Sequence, residues 1–180
     1  MGMQRTVPEF APHPVSVGGG TLAISPLPGR TRHYGTDWQR LRDWAPDLVV
    51  TMCQTHEMER KGAGTLGADL AAAGIAWRHL PVPDYGVPEA AMAADWDAAE
   101  RAALAILSRK GKVLVHCFGG CGRSGMAVLR LMIAAGEAPD AALARLRAVR
   151  PCAVETAAQM DWATGGALTF GIHEDERMQK

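Results

Sequence analysis

Two hydrophobic periods alternate along this chain. Leu48-Val49-Val50-Thr51-Met52-Cys53 and Lys112-Val113-Leu114-Val115-His116 are short, nearly continuous apolar runs rich in β-branched residues. That is the pattern of strands buried on both faces. Thr21-Leu22-Ala23-Ile24 reads as a further short strand after a Gly18-Gly19-Gly20 turn, and Ile75 to Val82 as another buried strand. Between them the period lengthens. Met92, Trp96, Ala99, Ala103 and Ile106 fall at helical spacing, and Gly111 ends that helix. Thr36 or Asp37 is placed to cap a short helix through Trp44, and Thr65 to cap one ending at Ala73 before Gly74. Further helices are predicted from about Arg123 to Ala135, from Pro139 to Val149 and from Glu155 to Phe170. Gln54 to Lys61 is a polar stretch, and Pro81, Pro83 and Pro88 stiffen the loop around them.

Strands alternating with helices predict an α/β fold, a central mostly parallel sheet flanked by helices. Ligands of such a sheet sit outside the carboxyl ends of its strands. Residues 15–172 read as one domain. Residues 1–14, with three Pro and no periodicity, read as a loose arm, and residues 173–180 as a solvated tail.

Composition narrows the function. The 180 residues carry 19 Lys plus Arg against 19 Asp plus Glu, so there is no electrostatic footprint for nucleic acid or an acidic membrane surface. No run of 18 apolar residues offers a spanning helix, and the first residues lack the apolar core of a secretory signal. Four Cys are too sparse for a disulfide scaffold, which predicts a reduced, cytoplasmic compartment.

One segment carries chemistry: His116-Cys117-Phe118-Gly119-Gly120-Cys121-Gly122-Arg123-Ser124, between a predicted strand and a predicted helix. Gly119, Gly120 and Gly122 let the backbone turn tightly and aim its N–H groups inward. The helix starting near Arg123 adds the positive end of its dipole. Together these make a cradle for a tetrahedral oxyanion, lined by Phe118, Gly119, Gly120, Cys121, Gly122 and Arg123. Cys117 lies at its base, where the same amides favour a thiolate. Arg123 brings a planar fork suited to two phosphate oxygens. Ser124 is placed to donate its hydroxyl to the sulfur, and His116 to fix the loop backbone. A lone Cys or a Gly-rich turn has a packing explanation. The joint occurrence of His, Cys, Arg and Ser at this spacing does not.

The stretch HCFGGCGRS resembles the signature loop of cysteine-dependent protein phosphatases, the tyrosine and dual-specificity class. Leu80-Pro81-Val82-Pro83-Asp84-Tyr85-Gly86-Val87-Pro88 resembles that family's mobile loop, whose Asp is the general acid; Asp84 lies 33 residues before Cys117. Gln159, in Glu155-Thr156-Ala157-Ala158-Gln159, is similar to the Gln that places the hydrolytic water. The opening ISPLPG and the run LRAVRPCAVETAAQ are most similar to the compact cyclin-dependent-kinase-inhibitor-3 type of dual-specificity phosphatase.

The resemblance implies a phosphomonoester hydrolase acting on phosphorylated protein through a phosphocysteine at Cys117. Asp84 would protonate the leaving oxygen and then act as base on the water, and neither metal nor other cofactor would be needed. Two alternatives share a Cys anion cradle. One is a phosphopeptide-binding module without turnover, which intact Cys117, Arg123 and Asp84 oppose. The other is a thiol enzyme of the rhodanese or arsenate reductase kind, which would not require the Asp84 loop. Glu57 reads equally as a support beneath the loop or as a solvated residue. Cys53, at a strand end, resembles the resolving thiol of some family members, with Cys121 as the competing candidate and plain burial as the structural alternative.

Overall fold

The computed structural model describes residues 10–168. Five strands form one sheet: β1 (His13–Val17), β2 (Gly20–Ser25), β3 (Leu48–Thr51), β4 (Ala76–His79) and β5 (Lys112–His116), in spatial order β1-β2-β5-β3-β4. β2, β5, β3 and β4 run parallel, and β1 is the antiparallel edge. The helices are α1 (Tyr34–Trp44), α2 (Thr55–Arg60), α3 (Leu66–Ala72), α4 (Ala93–Ser108), α5 (Gly122–Ala134), α6 (Pro139–Val149) and α7 (Ala157–Thr164). A short 3₁₀ turn, Ala90–Met92, precedes α4.

The expected α/β architecture is present, and the burial of the strands shows why. Leu22, Ile24, Leu48, Val50, Val113 and Val115 pack into the larger core with α4, α5, α6 and α7. Their neighbours Ala23, Val49 and Leu114 pack into a second core that includes Leu41, Met58, Leu66 and Leu70 of α1, α2 and α3. A sheet covered on both faces needs apolar residues at every position, which is why the central strands read as continuous runs.

Several expectations require correction. Residues 10–14 are not a loose arm: Phe10 is buried, and His13 and Pro14 open β1, pairing with Ile24 and Ala23. Pro14 is tolerable there because β1 is an edge strand. The strand read at Ile75 to Val82 is shorter and alternates between exposed and half-buried, because β4 is the other edge. Gln54 to Lys61 contains α2, which the polar composition concealed; Gln54 and Glu57 form its capping box. The last helix begins at Ala157, capped by Thr156, and closes at Gly165 rather than running from Glu155 to Phe170. Residues 1–9, the tail 173–180 and Phe170 itself lie outside the described residues.

Asp37 does not cap α1. It lies inside the helix, 2% exposed, and its carboxylate accepts the Gly29 N–H at 2.8 Å. This bond anchors the turn between β2 and α1, from which Arg30 reaches the functional cavity. Asp37→Ala leaves that buried N–H without its partner, a loss of roughly 1–3 kcal/mol. Urea unfolding of the variant should show a lower midpoint with an unchanged slope.

Candidate active site

The C-terminal end of β5 delivers His116 and then Cys117, and the chain wraps through Phe118–Cys121 into the first residue of α5, Gly122. Gly120 makes the wrap possible. Its φ is +69°, and a Cβ there would stand 2.5 Å from Pro26 N and the Ser25 carbonyl carbon. Arg123 and Ser124 follow in the first turn of α5, both buried. The tertiary fold therefore gathers His116, Cys117, Phe118, Gly119, Gly120, Cys121, Gly122, Arg123 and Ser124 into one cradle at the end of the sheet.

Arg123 is the centre of that cradle. Its Nη1 donates to Glu57 Oε2 at 2.7 Å and to the Val82 carbonyl at 2.9 Å, and its Nη2 donates to Glu57 Oε1 at 2.8 Å. Burial works against the guanidinium's charge, but the Glu57 bonds and the nearby Cys117 and Glu57 charges hold its pKa above the usual value. Burial likewise pushes the Glu57 carboxyl up; bonds from Arg123 and the Gln54 N–H reverse this and leave it below its ordinary value. Glu57 is thus the support beneath the loop, not a solvated residue. Arg123 Nε is buried with no partner in the protein. A buried donor of a charged group left unpaired is costly, and this one belongs to a side chain that lines the cavity beside Cys117.

Cys117 Sγ lies 3.2 Å from Ser124 Oγ. Behind it, the direction of a hydrogen-bond chain follows from donor chemistry. Trp77 Nε1–H can only donate, and it donates to Thr51 Oγ1 at 2.8 Å. At the other end the Cys117 carbonyl can only accept, so His116 Nδ1–H donates to it at 3.3 Å, and Nε2 of the neutral ring accepts the Thr51 hydroxyl proton at 2.7 Å. His116 is fully buried, and burial pushes its pKa down to about 4 despite the favourable Cys117 carbonyl.

Asp84 reaches the same place from the other side of the fold. Its carboxylate is 3.4 Å from Arg123 Nη2, exposed over 60% of its side chain, and it accepts the Tyr85 N–H at 3.1 Å. Tyr85 itself is exposed with φ +60°. A cavity of about 330 Å³ is lined by Cys117, Arg123 and Asp84 together with Arg30, Arg150 and Glu155.

Several site residues depart from expectation. Gln159 does not line this cavity. It is fully buried: its Oε1 accepts the Glu155 N–H at 3.0 Å, and its Nε2 donates to the Gly86 carbonyl at 3.2 Å. Cys121 is joined to Cys152 by a disulfide, against the expectation of four reduced thiols. The bond ties the cradle to the segment between α6 and α7, and closing a loop of 31 residues contributes roughly 3–4 kcal/mol. Arg150, from the same segment, donates to the carbonyls of Gly119 (2.9 Å) and Gly120 (2.8 Å). Sequence reasoning gave Arg150, Arg30, Thr51, Trp77 and Cys152 no role. A 31-residue separation carries no local pattern, though the Arg-Pro-Cys run after α6 was a signal available to be weighed. Cys53 is buried beside this group; burial, and then the charge of Cys117, push its thiol up to about 12.

A parallel sheet that presents a Cys and an Arg to one oxyanion cradle, under an Asp loop, defines the cysteine-dependent phosphatase class. Comparison with known proteins agrees. Residues 25–137 match the family described as polymorphic toxin system, DSP-PTPase phosphatase, and the chain belongs to that family. It is 29% identical over 148 residues to mouse cyclin-dependent kinase inhibitor 3, covering 78% of this chain and 69% of that protein. The fold is similar to a kinase-associated phosphatase with its catalytic cysteine changed to serine (TM-score 0.75, 22% identity, 89% of this chain and 94% of that one). It is also similar to the active form of Tk-PTP (TM-score 0.65, 27% identity, 86% and 95%). The protein is a cysteine-dependent dual-specificity phosphatase by family, and the binding-module, sulfurtransferase and arsenate reductase alternatives are not favoured. Among the described residues no helix is long and apolar enough to cross a membrane.

His116 sets a pH dependence. Its folded value lies below the unfolded 6.5, so the native state resists protonation that the unfolded chain accepts. Its contribution to stability is complete above about pH 6.5 and is lost as pH falls from there towards 4, a decline of about 3 kcal/mol. Denaturant unfolding at a series of pH values should show this slope, and His116→Gln should flatten it.

Proposed function

We propose that this phosphatase hydrolyses phosphomonoesters on Tyr, Ser or Thr side chains of proteins through a phosphocysteine on Cys117. The observation that carries the reading is the cradle itself: a buried Arg123 with an unpaired Nε–H, beside Cys117 Sγ, with Asp84 on the same guanidinium. Cys117 thiolate attacks phosphorus in line with the ester oxygen. The Phe118–Gly122 amides and Arg123 hold the equatorial oxygens, whose charge they match in the transition state. Asp84 protonates the departing oxygen. Ser124 donates to the sulfur as it becomes a leaving group, and His116 holds the Cys117 carbonyl in place.

A phosphoprotein is the substrate class that agrees with the kinase-associated and kinase-inhibitor names of its relatives. The Cys121–Cys152 disulfide removes the reduced-thiol argument for a cytoplasmic compartment. Cys53 is the resolving thiol available to an oxidised Cys117, because Cys121 is already paired with Cys152.

In Cys117→Ser, turnover of an aryl phosphate should vanish while phosphate binding persists, because a hydroxyl is not ionised near neutral pH. Activity at the wild-type level would remove the covalent route.

Asp84→Asn should lower kcat by roughly 10²–10⁴-fold, most for alkyl esters whose leaving oxygen most needs a proton. A series of leaving groups measures this. Equal losses for activated aryl and alkyl esters would mean another group supplies the proton.

A further inference from the structure

The bond between Cys121 and Cys152 joins a loop with many conformations open to it to a turn that has few. On one side, Gly119, Gly120 and Gly122 surround Cys121, and a side chain added at Gly119 would meet nothing within 4 Å. On the other side, Cys152 sits in the connection between α6 and α7. The Ala153 N–H donates to the Arg150 carbonyl at 2.9 Å, and Arg147 donates to the carbonyls of Ala153 at 3.0 Å and Val154 at 3.3 Å. Ala153 and Val154 are buried against Gly125 of α5, where a Cβ would stand 2.5 Å from Val154 N. Cys121 lines the cavity with Cys117 and Arg123, while Cys152 is exposed to solvent.

The loop needs such a post, because its phosphate-binding shape is costly on its own. The carbonyls of Phe118, Gly119 and Gly120 are taken by the Leu27 N–H at 3.1 Å and by Arg150 at 2.9 and 2.8 Å. Across a trans peptide the N–H points opposite to the C=O. The N–H groups of Gly119, Gly120 and Cys121 therefore turn away from those partners together. These like-oriented dipoles stand near the Arg123 guanidinium, whose Nε has no partner in the protein. A bound phosphate offsets their mutual repulsion. Before it binds, the repulsion favours conformations in which the amides disperse to water. Arg150 opposes that, as does the Val154 N–H on the Cys121 carbonyl at 3.2 Å. Both restraints are hydrogen bonds that water can replace; the disulfide is not.

We propose that Cys152 is a positioning residue for the reaction: its bond to Cys121 keeps the cradle in phosphate-binding shape before substrate arrives, and reduction of that bond by a dithiol weakens phosphate binding. The proposal rests on the function given above. In the reducing step an outside thiolate attacks the exposed Cys152 sulfur. The Cys121–Cys152 bond breaks, and Cys121 leaves as a thiolate that takes a proton. The second sulfur of the dithiol then attacks the mixed disulfide and releases Cys152, which also takes a proton. The dithiol is oxidised, the two cysteines are reduced, and Cys117 takes no part. The freed loop spends part of its time in shapes that cannot hold phosphate, so its apparent affinity falls by the competent fraction. Substrate, once bound, restores the cradle, and the chemical step keeps its rate. The effect belongs to KM and phosphate affinity, not to kcat.

Steady-state kinetics on an aryl phosphate, with phosphate binding followed by calorimetry, test this on the oxidised protein and after dithiol treatment. Alkylation and mass spectrometry report the state of Cys121 and Cys152 in each sample. Reduction should raise KM and the phosphate Kd by roughly 10-fold, as for a competent fraction near one tenth, with kcat changed by less than about twofold. Cys152→Ser should show the raised values without dithiol and no response to it. Reoxidation should restore the low values in the wild-type protein alone. Equal KM and Kd in the two states, or wild-type values in Cys152→Ser, would overturn the proposal. So would a loss confined to kcat, which places the effect at Cys117 rather than in the shape of the cradle. Absence of turnover in both states would instead remove the hydrolase reading, and the calorimetric Kd would still decide whether the bond sets the cradle.

Discussion

The buried pair between Arg123 and Glu57 is the constraint on which the site depends. A guanidinium this deeply enclosed is tolerable only with a carboxylate opposite it, and breaking such a pair leaves an uncompensated charge costing roughly 3–5 kcal/mol. Glu57 takes both Nη groups in a two-pronged contact and leaves Nε without a partner in the protein. That geometry requires α2 to stand under the loop after β5, so a helix of six residues with its own capping box becomes part of the catalytic frame. Because Nη1 also donates to the Val82 carbonyl, the same guanidinium fixes the base of the loop that carries Asp84.

The cradle is held from outside as well as beneath. Arg150 draws in the carbonyls of Gly119 and Gly120, and the Cys121–Cys152 bond attaches the loop to the same segment. A loop whose amides must face an anion has carbonyls that face away, and Arg150 satisfies them. Behind Cys117 the chain from Trp77 through Thr51 to His116 fixes one imidazole tautomer. The edge strand β4 carries Trp77, which gives that half-exposed strand a task at the site.

Local pattern and tertiary placement divide the residues clearly. His116, Cys117, Arg123 and Ser124 stand within nine positions, and their joint spacing is a chemical requirement that a reader of sequence can weigh. Prolines isolate Asp84 after a strand-like run, and the fold sets its carboxylate 3.4 Å from Arg123 Nη2. Glu57 was ambiguous, since a polar stretch with a helical cap looks the same whether it meets solvent or a buried Arg. Gln159 is turned onto the Glu155 N–H and the Gly86 carbonyl, a direction that an amide near the end of the domain does not declare in sequence. Glu155, four residues earlier, lines the cavity with its carboxylate beside Gly122.

The sequence alone determined the alternation of apolar strands with helices and the Gly-rich loop that brings Cys117 and Arg123 together, because each is encoded over a few adjacent residues where backbone geometry and side-chain chemistry are local. It did not reveal β1, whose edge position lets a Pro-containing segment pair without a hydrophobic run. Tertiary structure decided the partners that lie 30 to 70 residues from the cradle: Glu57 under Arg123, Thr51 against His116, Arg150 and Cys152 around the loop, and Glu155 facing the cavity. These contacts arise because parallel strands end at one edge of the sheet and bring distant connections together there. Apart from the Arg-Pro-Cys run after α6, no residue in those connections carries a local mark of the neighbour it will meet.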